Sequence, residues 1–191
     1  TFTAYDDWRR EHALHHAGSG NLDRRGFGDI STLTVREYGA LGRFKKFGYW
    51  LYRHPLVLFG LGPSWLFLLR HRWPSSKTNN MMPFLSTHST NIGIILISIA
   101  LIWFIGWQAF LLVHVPVIIL AASVGVWLFY IQHQFDETHW EKNLDWKREH
   151  AALHGSSYYD LPQPLMWLTG NLGIHHVHHI SSRIPFHILP R

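Results

Sequence analysis

Two short histidine patterns carry most of the chemistry open to this sequence. "EHALHH" at residues 11–16 and "IHHVHH" at 174–179 each contain the spacing His-x-x-His-His, as His12, His15 and His16 and again as His175, His178 and His179. On a helix, positions i, i+3 and i+4 share a face, so each pattern aims three imidazoles one way. Neutral imidazole is a ligand for iron, copper, zinc and nickel. Six convergent nitrogens exceed what one tetrahedral zinc takes. They suit a two-metal centre that keeps open positions for a small molecule such as dioxygen. His176 lies one step round the helix, off the shared face.

Other chemistries find less support. The chain has no cysteine, which excludes disulfides, thiolate zinc sites and cysteine nucleophiles. It has no His-Glu-x-x-His, so the metalloprotease layout fails. "HGSSYYD" at 154–160 only weakly imitates the Gly-flanked serine elbow of a hydrolase. A metal transporter would place ligands inside its spans, and the charge-free region offers only His88, His114 and His133. The net charge of +5 gathers on segments flanking the apolar region, with Arg9, Arg10, Arg24, Arg25, Arg43, Lys45, Lys46 and Arg53. No soluble nucleic-acid-binding module accompanies it. Anionic lipid headgroups or an acidic protein partner fit that charge, and no nucleic acid is expected.

The elements that must position the histidines can be read in order. Residues 6–17 predict a short helix, capped by Asp6 or Asp7 and stopped by Gly18 and Gly20. Residues 18–31 predict a polar loop. The basic, aromatic segment 31–55 suits a helix at a membrane interface. Residues 55–70, interrupted by Gly60, Gly62 and Pro63, are too short to cross a bilayer, so 46–70 is expected to be interfacial or re-entrant. A polar connector occupies 70–83.

Between Lys77 and Asp136 there is no Asp, Glu, Lys or Arg. The apolar run from 91 is twice the length of one span, and predicts two, at about 91–109 and 113–131, with a break near "GWQAF". Both outer flanks are basic and the turn between the spans is uncharged, which puts both flanks on the cytoplasmic side. Two spans return the chain to the side it left, so the two histidine patterns can meet. The fold class expected is an all-α integral membrane protein: a transmembrane helical hairpin, interfacial helices and a cytosolic histidine-rich cap. Residues 1–191 read as one domain, itself partial. The chain begins with Thr, inside a patterned segment and without signal-peptide architecture, and is expected to be a piece of something longer.

At these residues the chain resembles a known family. "WRREHALHHAGSGNLDRRGFGDISTLTVREY" and "YIQHQFDETHW…AALHGSSYYDLP…GNLGIHHVHHISSRIPFHILP" are similar to the integral-membrane fatty acid desaturases, most of all to the bacterial acyl-lipid delta-12 (omega-6) branch. The likeness runs along nearly the whole chain. It implies a multi-pass protein of the bacterial cell membrane with a histidine-held di-iron centre. It also implies dioxygen as co-substrate, external electrons from a donor such as ferredoxin, and a fatty acyl lipid as substrate. One departure is large: family members carry a first box, His-Asp-x-x-His or His-x-x-x-His, on a hairpin before the second. His54, His71 and His88 have neither the spacing nor the setting for it. The resemblance therefore implies a C-terminal fragment, inactive by itself.

The resemblance also implies roles. His12, His15, His16, His175, His178 and His179 match the family's two boxes as iron ligands, and His133 matches a further ligand near the cytosolic end of the last span. A helix-end histidine meeting the dipole is the plain alternative for His133. Asn171, four residues before His175, would share the ligand face if the segment were helical; capping is its alternative. His154 and Asp160 are candidates to line the site. Asp23 and Asp29 are candidates to orient ligating imidazoles, against ordinary pairing at the surface. The rival readings are a fatty acyl or alkane hydroxylase on the same scaffold, and a non-catalytic metal-binding membrane protein.

Overall fold

The computed structural model describes residues 2–74 and 81–189. The middle of the expected connector, 75–80, lies outside the described residues. Ten α-helices follow in order: α1 Tyr5–Gly18, α2 Val35–Ala40, α3 Arg43–Arg53, α4 Gly62–Leu68, α5 Met82–Ile105, α6 Trp107–Ala109, α7 Val115–His133, α8 Arg148–His154, α9 Gln163–Leu168 and α10 His175–Ile180. π-helical turns at Val57–Leu61 and Phe110–His114 and a 3₁₀ turn at Arg70–Arg72 complete the helical content. Among the described residues the extended pairing amounts to two isolated bridges, Asn21 with Glu141 and Tyr158 with Ile174. The fold is all-α.

The chain divides into two compact units. One comprises the described residues up to Arg10 and Leu33–Trp127. Here α2 begins at a capping box: the Thr34 hydroxyl accepts from the Glu37 amide, and the Glu37 carboxylate accepts from the Thr34 amide. Gly42 separates α2 from α3, so the expected interfacial helix forms as two pieces. Basic residues and aromatics alternate round α3, which buries none of its side chains. The Ser86 hydroxyl accepts from the Asp6 amide at 3.2 Å, and Arg72 bonds the Asn91 side chain at 2.7 Å and the Phe2 carbonyl.

Among the described residues, two apolar stretches are long enough to cross a bilayer, Met82–Ile105 with 24 residues and Trp107–His133 with 27. At 1.5 Å per residue they reach roughly 36 and 40 Å, beyond a hydrocarbon core of about 30 Å. Their most apolar windows are 0% and 6% buried. A core helix of a soluble protein would be covered; these present Ile92, Ile95, Leu96, Ile99, Trp103 and Phe104 outward. The chain turns between them at Gly106, whose φ of 83° favours glycine. The first helix starts at Met82, nine residues before the expected 91. Pro83 sits in its first turn, and the Ser89 and Thr90 hydroxyls bond the Ser86 carbonyl, so these polar residues need no water.

The second unit comprises Glu11–Thr32 and the described residues from Leu128 on. It is held less by apolar core than by a polar knot around Asn21, which is 0% exposed. The Asn21 amide donates to Asn143 at 2.9 Å, and its Oδ1 accepts from the Asp23 amide at 2.9 Å. The Glu141 amide donates to the Gly20 carbonyl, its carbonyl accepts from the Leu22 amide, and the Trp146 indole donates to the Ser19 carbonyl. Arg25 clasps the carbonyls of Leu22 and Thr32. The loop 18–32 is thereby fixed. Asn21→Ala would remove both bonds while leaving the exposed Asn143 and Asp23 groups to water, and is expected to cost about 0.5–1.5 kcal/mol. The check is a lower thermal unfolding midpoint of the chain in detergent.

Candidate metal centre

Seven histidines converge in the second unit. Each box sits on a helix, His12, His15 and His16 on α1 and His175, His178 and His179 on α10, and His133 closes α7. Their donor atoms form two groups. His15, His133, His175 and His179 make a buried group; His12, His16 and His178 make a half-buried one. Each helix therefore gives an i, i+4 pair to one group and its i+3 histidine to the other.

Within the first group, His133 Nε2 lies 3.1 Å from His15 Nε2 and 2.9 Å from His175 Nε2, and His175 and His179 are 3.1 Å apart. Within the second, His16 Nε2 lies 3.1 Å from His12 and 3.0 Å from His178, with 3.3 Å between His12 and His178. Two nitrogens each about 2.1 Å from one metal, and about 90° apart, stand about 3.0 Å from each other. The donor set fits a metal in its spacing.

The tautomers strengthen this. His15 Nδ1 lies 2.5 Å from Asp29 Oδ1, which can only accept, so the proton is on Nδ1. His133 Nδ1 lies 3.3 Å from the Gly155 carbonyl and donates to it by the same argument. With both rings neutral, both Nε2 atoms carry lone pairs, and they face each other at 3.1 Å in a buried place. Two lone pairs held this way repel unless a cation lies between them. The Phe129 ring, 5.3 Å from His15 and 5.1 Å from His133, makes the wall apolar.

The electrostatics agree. Burial, then His178 and His15, lowers the His12 pKa to about 4. Burial, then His12 and His178, lowers that of His16 to about 3. His175, His178 and His179 are lowered too, chiefly by burial. These five imidazoles favour the neutral form at pH 7, the form that ligates metal.

Local backbone geometry sets the third box. Gly170 and Asn171 take left-handed φ values of 65° and 57° immediately before it. The Gly173 carbonyl accepts from Tyr159, and a Cβ on Gly173 would overlap the Tyr159 oxygen and crowd Met166. The segment is not helical, so the spacing that placed Asn171 on the ligand face does not apply there. Its side chain donates to the Phe186 carbonyl at 2.8 Å instead, holding the tail. His154 ends α8 with its ring against His150, and lines a cavity of about 530 Å³ with Gln134, Glu137, Ser156 and Tyr158. Asp160 is exposed. Asp23 binds the Asn143 amide, and of the two loop carboxylates Asp29 is the one against an imidazole of the cluster.

Two contributors lie outside the histidine patterns. The Gly155 carbonyl holds His133, and residue 155 must be glycine because a Cβ would stand 2.6 Å from the Ala151 oxygen. Gln132, 5% exposed, donates to the Leu172 carbonyl and accepts from the Ser157 amide. It ties the end of α7 to the turn before α10.

The family profile described as "Fatty acid desaturase" matches residues 1–191. The chain is similar to a protein of Bacillus subtilis (strain 168) named "Fatty acid desaturase", 45% identical over 185 residues. That alignment covers 97% of this chain and 52% of the relative, so the chain spans about half the length of the curated relative it matches.

Asp29→Asn removes the charge that orients His15, and is expected to weaken metal affinity about 10- to 100-fold, read by competition titration. Acid should also destabilise the metal-free chain. His12 and His16 titrate lower in the folded chain than the usual 6.5, so the unfolded state binds more protons below pH 6.5. Folding stability is then full above pH 6.5 and is lost as pH falls toward about 4 and 3. Unfolding midpoints across pH 3–8 in chelator check it.

Proposed function

The chain belongs to the fatty acid desaturase family, and we propose that the whole protein is an oxygen-dependent desaturase that places a cis double bond in a membrane-lipid acyl chain. The observation that carries this reading beyond family membership is the pair of fixed-tautomer imidazoles, His15 and His133, whose lone pairs face each other at 3.1 Å. A buried arrangement of that kind calls for a cation.

The metal is iron, in two ions, one for each group of histidines. His15, His133, His175 and His179 would hold one; His12, His16 and His178 would hold the other with fewer protein ligands. Bound iron would supply the oxidation: with dioxygen, two external electrons and two protons, a –CH₂–CH₂– unit becomes –CH=CH– and two waters form. The protein's own residues do the rest. Asp29 and the Gly155 carbonyl hold the two Nδ1 protons, keeping both Nε2 atoms directed inward. Phe129 keeps water from the buried group, and Gln132 fixes the distance between the helix carrying His133 and the turn before His175. Positioning of the acyl chain against this rigid set decides which carbons react.

The long apolar helices and the family make the chain membrane-associated. We read it as part of a multi-pass protein of the bacterial cell membrane, with the histidine-rich unit as a cap on the cytoplasmic side. Delta-12 (omega-6) regiochemistry rests on the resemblance of "HHVHHISSRIP" to that branch. Ferredoxin, an acidic carrier, is the proposed electron donor, drawn to basic residues such as Arg9 and Arg10.

The test is expression of the complete protein, alone and as His178→Ala, in a host rich in monounsaturated lipid, with fatty acids analysed by mass spectrometry. A diunsaturated acid found only with His178 intact is the expected outcome, and its double-bond position reports the regiochemistry. A hydroxylated acid would replace desaturation by hydroxylation on the same scaffold. Iron binding without any new product would make the protein a non-catalytic metal binder.

A further inference from the structure

Four side chains outside the buried cluster lie close together at the surface. His150 and His154 stand at i and i+4 on α8, with ring centroids 4.4 Å apart. The corresponding pairs in the buried cluster have 4.5 Å for His12 and His16 and 4.7 Å for His175 and His179. The His139 ring lies 4.8 Å from that of His150, the separation of His133 from His175. His139 Nε2 is 2.8 Å from Glu141 Oε1, a spacing that two ligands on adjacent corners of one metal also take.

The scaffold beneath these groups is rigid. α8 is anchored by Ala151 and Ala152, each 4% exposed, and the His139 amide donates to the His154 carbonyl at 3.0 Å. Glu141 is held on both sides by main-chain bonds to Gly20 and Leu22. Backbone positions are thus fixed, while the side chains of His139 and Glu141 remain 38% and 37% exposed, and His150 and His154 are exposed as well. Solvent-facing rings can turn their nitrogens toward a common ion with little packing to oppose them. None of the four belongs to the two histidine groups of the buried centre.

We propose that His139, Glu141, His150 and His154 form a second, solvent-facing site for a divalent transition-metal ion, separate from the buried histidine cluster. Three imidazoles and one carboxylate suit a borderline cation such as zinc, copper or nickel, and disfavour magnesium or calcium, which take oxygen ligands. Because the ligands face solvent, the ion should exchange readily, where one in the buried cluster should not.

The test is calorimetric titration of Zn²⁺ into the whole chain in detergent, beside the double variant His150→Ala, His154→Ala and the single variant Glu141→Gln. Tight binding to the buried cluster, followed by a weaker class, is the expected pattern. The double variant should lose the weaker class and keep the tight one, which also shows that it is folded. Glu141→Gln should weaken the second class about 10-fold or more. A wild-type chain with no weaker class, or a double variant that binds the same equivalents with the same affinity, would overturn the proposal.

Discussion

Seven imidazoles brought together with their lone pairs inward resist being brought together. At His12 and His16 protonation does not relieve the repulsion, because burial and neighbouring rings oppose the charge. The surrounding structure must therefore impose the arrangement, and a bound cation then turns repulsion into attraction. Much of the second unit is explained by that requirement. Asp29 and Gly155 pin two rings by their far nitrogens. Left-handed Gly170 and Asn171 set the start of α10. The Asn21 knot keeps the loop bearing Asp29 from relaxing. Such positions are costly one by one and persist because several restraints act on the same few residues.

The two boxes were legible because helical spacing is a property of sequence. Their division between two groups was not, although its cause is simple. Successive residues turn by 100°, so i and i+4 lie 40° apart on the wheel, while i+3 lies about 100° from i+4. A helix that points its i, i+4 pair at one centre must therefore turn its middle histidine toward another. α1 gives His12 and His16 to the half-buried group and His15 to the buried one; α10 does the reverse with His178 and the pair His175 and His179. Which pair goes where depends on how each helix is rotated about its axis. No spacing within one helix contains that angle.

Other differences between sequence and structure have similar roots. Helical spacing would put Asn171 on the ligand face only if the segment through Gly170 and Gly173 were helical, and there the chain is a turn. The first apolar helix starts earlier than hydropathy suggests because Ser89 and Thr90 satisfy their hydroxyls on its own backbone. Charge-free length marked the two long helices well, since lipid and water differ by composition. Gly155 and Gln132 were invisible for the opposite reason: one acts through a carbonyl that every residue owns, the other through an amide no rarer than its neighbours.

The end of α7 shows why a ligand belongs at a helix terminus. The last carbonyls of any helix lack partners within it and must find them elsewhere. Here the Gln132 carbonyl accepts from the Ser157 amide, and the His133 carbonyl accepts from the Thr138 hydroxyl. The segment that supplies Ser157 also supplies the Gly155 carbonyl that orients the His133 ring. Capping the helix and aiming the ligand are thus one set of contacts. Deep inside an apolar span His133 would have met neither a polar segment nor six other imidazoles. Surrounded by solvent, it could not have been held neutral, dry and in one tautomer. A helix that leaves its apolar stretch at Gln132 and His133 satisfies both demands within two residues.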